Sequence, residues 1–90
     1  MKVIYKYHLG VTPGRVVVKM PFEAKPLSVG VQDDSVVVWA EVDTDELLGG
    51  KVFELIMTGQ EMPNENDFDF IGTVTLHGWY VLHVFAANNH

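Results

Sequence analysis

The chain of 90 residues has no cysteine, which removes both a disulfide framework and a thiolate metal site. Its six basic residues include only one, Lys51, beyond residue 25. No apolar run approaches the roughly 18 residues a membrane span needs. Met1-Lys2 leads straight into an alternating stretch rather than a signal peptide, so a cytoplasmic protein without membrane contact is expected. Ser28 and Ser35 are the only serines, and neither sits in a nucleophile-elbow context. No GxxxxGK[ST] or GxGxxG run exists, so no phosphate cradle is visible. The acids at 43–46 and 65–69 lack the spacing and the glycine of a calcium loop. No catalytic residue, metal ligand or cofactor is therefore indicated, and a non-enzymatic protein is expected.

What remains is apolar, alternating and acidic. Hydrophobic residues make up 48%, with abundant valine and ten aromatics, which suits a single small β domain over residues 1–90. A chain of this length buries only about two-thirds of its unfolded surface. The net charge of −6 is unevenly spread. Five of the six basic groups fall in residues 1–25 beside one acid, and eleven acids lie between Asp33 and Asp69. Such a chain repels phosphates at long range, which argues against direct nucleic-acid binding and favours a basic partner. Solubility alone is the competing explanation of the same charge.

The run FIGTVTLHGWYVLHVF, residues 70–85, organises the reading. His77-Gly78 between β-rich flanks predicts a two-residue hairpin loop. That register pairs Leu76 with Trp79, Val74 with Val81, Gly72 with His83 and Phe70 with Phe85, and places all eight on the core side. A second hairpin is predicted in LSVGVQDDSVVVWAEVD with Asp33-Asp34 as its loop. It opposes Val31 to Val36, Val29 to Val38 and Leu27 to Ala40 on the apolar face, and Gly30 to Val37 and Ser28 to Trp39 on the other.

Residues 1–9 alternate, with Val3, Tyr5, Tyr7 and Leu9 on one side and Lys2, Ile4, Lys6 and His8 on the other. Tyrosines and lysines thus fall on opposite faces, which excludes a stacking platform for single strands. Thr12-Pro13-Gly14 reads as a type II turn before a strand that points Val16, Val18 and Met20 inward. TDELLGG at 44–50 carries the signals of one short helical turn, with an irregular loop the equal alternative. Lys51–Thr58 reads as a central strand, and 59–69 as the one long polar connection. The sum is an all-β antiparallel sandwich or small barrel of about seven strands, with at most one helical turn.

Candidate binding residues follow from this layout. Trp39 sits on the polar side of its hairpin with Glu41 and Asp43, either covered by another segment or free as an aromatic anchor. Glu61, Glu65, Asp67 and Asp69 add the acids of the long connection. His83 lies opposite Gly72 on the apolar side. It is either a core histidine bonded to a carbonyl or, with Trp79 and Tyr80, part of a pocket. His90 is expected to be a disordered terminus.

WAEVD (39–43), TGQEMP (58–63), FIGT (70–73) and HVF (83–85), in this order after an alternating Lys/Tyr strand, resemble a family of small uncharacterised bacteriophage and prophage proteins. The likeness runs nearly the whole length. Members of that family often carry a Trp before the closing His-Val-Phe, where this chain has Leu82, and here Trp79 follows the turn glycine instead. A ligand pocket built on that Trp would be lost or relocated. The resemblance implies an accessory protein in the cytoplasm of the infected host. It would bind a host protein, basic ones among the candidates, as an inhibitor or anti-defence factor. The alternative is an oligomeric sponge that sequesters a nucleotide-like immune signal. A homo-oligomer is expected either way, since a short β chain gains buried area by covering an open edge, with the first strand the edge to cover.

Overall fold

In the computed structural model, which describes residues 1–88, the alternating segments form seven antiparallel strands and no helix. They are β1 (Lys2–Gly10), β2 (Gly14–Pro21), β3 (Lys25–Gln32), β4 (Ser35–Asp43), β5 (Leu48–Met57), β6 (Phe68–Leu76) and β7 (Tyr80–Ala87). Two sheets stack into a sandwich: sheet A in the order β1-β4-β3 and sheet B in the order β2-β5-β7-β6. His90 lies outside the described residues. Among those residues no helix is long and apolar enough to cross a membrane.

The core forms where the inward faces of the central strands meet. Val36, Val38, Ala40 and Val42 of β4 pack against Phe53 and Leu55 of β5 and Leu82, Val84 and Ala86 of β7. Phe53, Leu55 and Leu82 are fully buried, each contributing about 1.5–3 kcal/mol from burial. Val3, Tyr7 and Leu9 of β1 line the inside as expected, as do Val16, Val18 and Met20 of β2, whereas Tyr5 on the same face stays 48% exposed and outside the core cluster. The tyrosines and lysines of β1 do occupy opposite faces, and β1 is an edge strand.

The β3–β4 hairpin turns at Asp33-Asp34, both in the left-handed region at φ 52° and 59°. Its pairs Val31–Val36, Gly30–Val37, Val29–Val38 and Ser28–Trp39 match the sequence reading. Beyond them a bulge at Leu27 substitutes Pro26 for Leu27 opposite Ala40, because proline cannot donate to a regular ladder.

The β6–β7 hairpin differs from its expected register. His77 and Gly78 do take positive φ, 55° and 78°, and the Leu76 carbonyl accepts the Trp79 N–H at 3.2 Å. Pairing nevertheless resumes one residue later, with Leu76 opposite Tyr80, Val74 opposite Leu82 and Thr73 opposite His83. A bulge between Phe70 and Gly72 then restores the expected pair of Phe70 with Phe85. The slip turns Leu82, Val84 and Ala86 inward and puts His83 on the outside, where a polar ring keeps hydrogen-bond partners that a dry core would deny it. Gly72 permits the closest inter-sheet approach: a Cβ there would come within 2.8 Å of Val29 Cγ2 on β3.

The helical turn expected at 44–50 is absent. A single Glu46 N–H to Asp43 carbonyl bond closes a tight turn, and β5 begins already at Leu48. The Asp43 carboxylate caps only this turn, accepting the Asp45 N–H at 3.0 Å, because the LLGGKVF residues that follow are taken into the sheet.

Candidate functional site

Sheet B fixes the geometry. Because β5 and β6 both pair antiparallel with β7, they run parallel to each other, and residues 58–67 must return along the sheet to connect them. This connection folds on its own polar groups. Gln60 Oε1 accepts the Met57 N–H at 2.8 Å, and Asn64 closes a turn through Oδ1 to Asn66 N–H at 2.9 Å. It roofs the outer face of sheet B and leaves a groove of about 370 Å³ walled by Ile56, Met57, Met62, Phe70 and Phe85. Phe70 and Met62 remain 57% and 58% exposed, whereas Phe85 is buried beneath them. The Phe70 and Phe85 rings meet at 5.4 Å in a tilted pair.

His83 stands in this groove. Its Nε2 lies 2.8 Å from Thr58 Oγ1 and its Nδ1 2.9 Å from Thr73 Oγ1. Each hydroxyl can donate to a bare ring nitrogen or accept from N–H. The two threonines therefore hold the ring in either tautomer and fix its orientation. Among the described residues no carboxylate hydrogen-bonds to the ring.

The other pocket residues named from sequence do not join it. Trp79 is 75% exposed at the tip of the β6–β7 turn, its ring 5.7 Å from that of Tyr80. The Tyr80 hydroxyl donates to the Val11 carbonyl at 3.1 Å and ties the β1–β2 connection to β7. His83, Trp79 and Tyr80 are thus three separate features.

The acidic candidates also divide. Trp39, Glu41 and Asp43 lie on the outer face of sheet A, on the opposite side of the sandwich from the groove. No third layer covers Trp39. It is half-buried over Gly30, so it belongs to the surface rather than to the core. Glu41 pairs with Lys2 at 3.8 Å. Asp43 accepts the Met1 amine at 2.9 Å and the Asp45 N–H at 3.0 Å, which hold its carboxyl below the usual carboxylate range. Glu61, Glu65 and Asp67 are exposed on the 58–67 connection, Glu61 between the groove residues Gln60 and Met62, and Asp67 toward the other end of the sheet, where its carbonyl accepts the Asn88 N–H at 2.9 Å. Asp69 faces the other way, on the inward side of β6 opposite Ala86.

Lys51, the first residue of the strand read over 51–58, has a place in the structure that this reading did not assign. It shares the inward face of β5 with Phe53 and Leu55 and lies at the open end of the sandwich. Burial lowers its pKa, and Asp69 partly offsets this. The alternation of KVFEL carried that signal, because Lys51 falls in phase with the core positions. Among the described residues no cluster of three or more His, Asp or Glu side chains gathers within reach of a metal ion.

The fold and groove define a small antiparallel β-sandwich with an apolar site on one outer sheet face. The chain belongs to the family described as Domain of unknown function (DUF7352), whose model matches residues 1–90. No curated protein and no solved structure matches it.

Proposed function

We propose that the protein is a non-enzymatic binding protein that seats an apolar side chain of a partner protein in the groove around His83. The observation that carries this reading is the cluster of exposed Met57, Met62 and Phe70 side chains over a sheet face, beside the acids of the same connection. Methionine-rich walls adapt to an incoming side chain, and aromatic rings supply area at low entropic cost. Glu61, Glu65 and Asp67 favour basic residues flanking that side chain and speed its approach. The fitting partner is therefore an exposed apolar residue set among lysines or arginines. The resemblance to phage and prophage proteins supports a host protein, met in the host cytoplasm, as the source of that surface. The free edge of β1 supports association with a second copy.

Affinity capture from host lysate tests the reading with wild type beside Phe70→Asp and Met62→Asp. A stoichiometric partner should be retained by wild type and lost by both variants while circular dichroism stays unchanged. Capture of no stoichiometric partner, or equal capture by the groove variants, would overturn it.

A further inference from the structure

The open end of the sandwich holds a second cavity, of about 450 Å³, between the β2–β3 turn and the ends of β5, β6 and β7. Ala24, Pro26, Ile71, Ala86 and Ala87 line its apolar part, and the three small alanine side chains leave space that larger ones would fill. Lys51 and Asp69 face this space from strands on either side of β7. A lysine in register with core residues is costly, because burial penalises its charge. The ion pairs of the described residues join Met1 to Asp43 and Asp45, Lys2 to Glu41, Arg15 to Glu54 and His77 to Asp34, and none includes Lys51. Asp69 uses one carboxylate oxygen to accept the Asn88 amide at 3.2 Å, and its other oxygen has no hydrogen-bond partner among the described residues. Glu23 at the cavity mouth holds φ 62°, a conformation a non-glycine residue adopts at a cost, and such strain clusters at functional sites.

We propose that this cavity binds a free α-amino acid, its carboxylate on Lys51 and its ammonium on Asp69. Lys51 and Asp69 face one space of this volume, and Lys25 and Glu23 add one charge of each sign to its lining, a balance that matches a small zwitterion better than a bare anion. The bound carboxylate supplies Lys51 with the acceptor it lacks among the described residues.

Thermal-shift titration of the full chain with each of the L-amino acids tests this, with acetate, methylamine and inorganic phosphate as single-function probes. At least one amino acid should raise Tm in proportion to the logarithm of its concentration above Kd. Lys51→Met, which replaces the amine by an apolar chain of similar length, should abolish the shift, and so should Asp69→Asn on the exposed rim. Phe70→Asp in the groove should keep it, which separates this site from the partner-binding one. No shift with any amino acid would overturn the proposal, as would a shift that survives in a folded Lys51→Met or Asp69→Asn protein. An equal shift with acetate or phosphate would overturn it too, since that marks a simple anion site.

Discussion

Trp39 lies across Gly30: a Cβ built on Gly30 would come within 2.9 Å of the indole Cζ3. The pair is a cross-strand neighbour of the Ser28–Trp39 register on the outer face of sheet A. The missing side chain at Gly30 is what lets the indole lie down and stay half-buried. Gly30→Ala should lift the ring off the sheet, at a cost of about 1–2 kcal/mol. In a Trp79→Phe background, Trp39 fluorescence should shift to the red. An unchanged emission maximum would show that the indole does not depend on that space.

The Thr58–His83–Thr73 arrangement predicts coupled rather than additive losses. Thr58→Val and Thr73→Val should each cost about 0.5–1.5 kcal/mol in urea unfolding. The double variant should fall short of the sum, because one freed nitrogen lets the ring turn away from the remaining partner. His83→Ala should stay folded and lose only a similar amount, as expected of an outer-face residue. Losses of the size seen for core truncations would place the ring inside instead.

Lys51 gives a pH dependence with a definite sign. Burial sets its folded pKa below the ordinary 10.5, with Asp69 drawing it partly back. Between the folded and unfolded values the unfolded chain binds more protons, so stability attributable to this group rises with pH through that window. Below it, the charged amine is a standing cost. Lys51→Met should remove the rise and raise ligand-free stability at neutral pH by up to about 1 kcal/mol, solvent screening keeping the gain small. Comparing variant with wild type cancels the contributions of all other groups. A steeper rise in the variant would reverse the assignment.

The β3–β4 turn should accept a better residue. Asp33 and Asp34 both hold left-handed φ, which glycine adopts without a Cβ penalty. Asp34→Gly should stabilise by roughly 0.5 kcal/mol, the gain in the turn exceeding the entropy that glycine adds to the unfolded chain. The long 4.0 Å approach of Asp34 to His77 joins two exposed side chains and contributes little against this. A drop in the unfolding midpoint would show that the aspartate does more than turn the chain.

The sequence was most legible where one face was uniformly apolar. In β3 and β4, valines alternating with Gly30, Ser28 and Trp39 left a single register that buries them, and the chain adopts it over most of the hairpin. In β6 and β7 both faces of the hairpin carry large apolar residues, so periodicity could not say whether Phe85 or Val84 goes inside. The choice fell to Trp79, one extra residue after the turn glycine, and to a compensating bulge at residue 71. The groove was invisible for a related reason. It depends on residues 58–67 lying over the sheet, a consequence of strand order that local pattern does not encode. Lys51 was legible but undervalued, since its phase with Phe53 and Leu55 already set it on the inside.

The strand order of sheet B also governs how the chain can fold. β5 and β6 do not touch as sheet neighbours; each has β7 between itself and the other. Until β7 is available, β6 has no strand to pair with in its own sheet and β5 has only β2. Half the sandwich therefore cannot zip up progressively from the N-terminus, and its closure awaits the last strand. Such long-range pairing places folding on the slow side for a domain of this size, in milliseconds to seconds. A chain cut at residue 79 should retain no cooperative unfolding transition, and a ribosome-tethered chain should acquire protease resistance only after residue 87 has emerged.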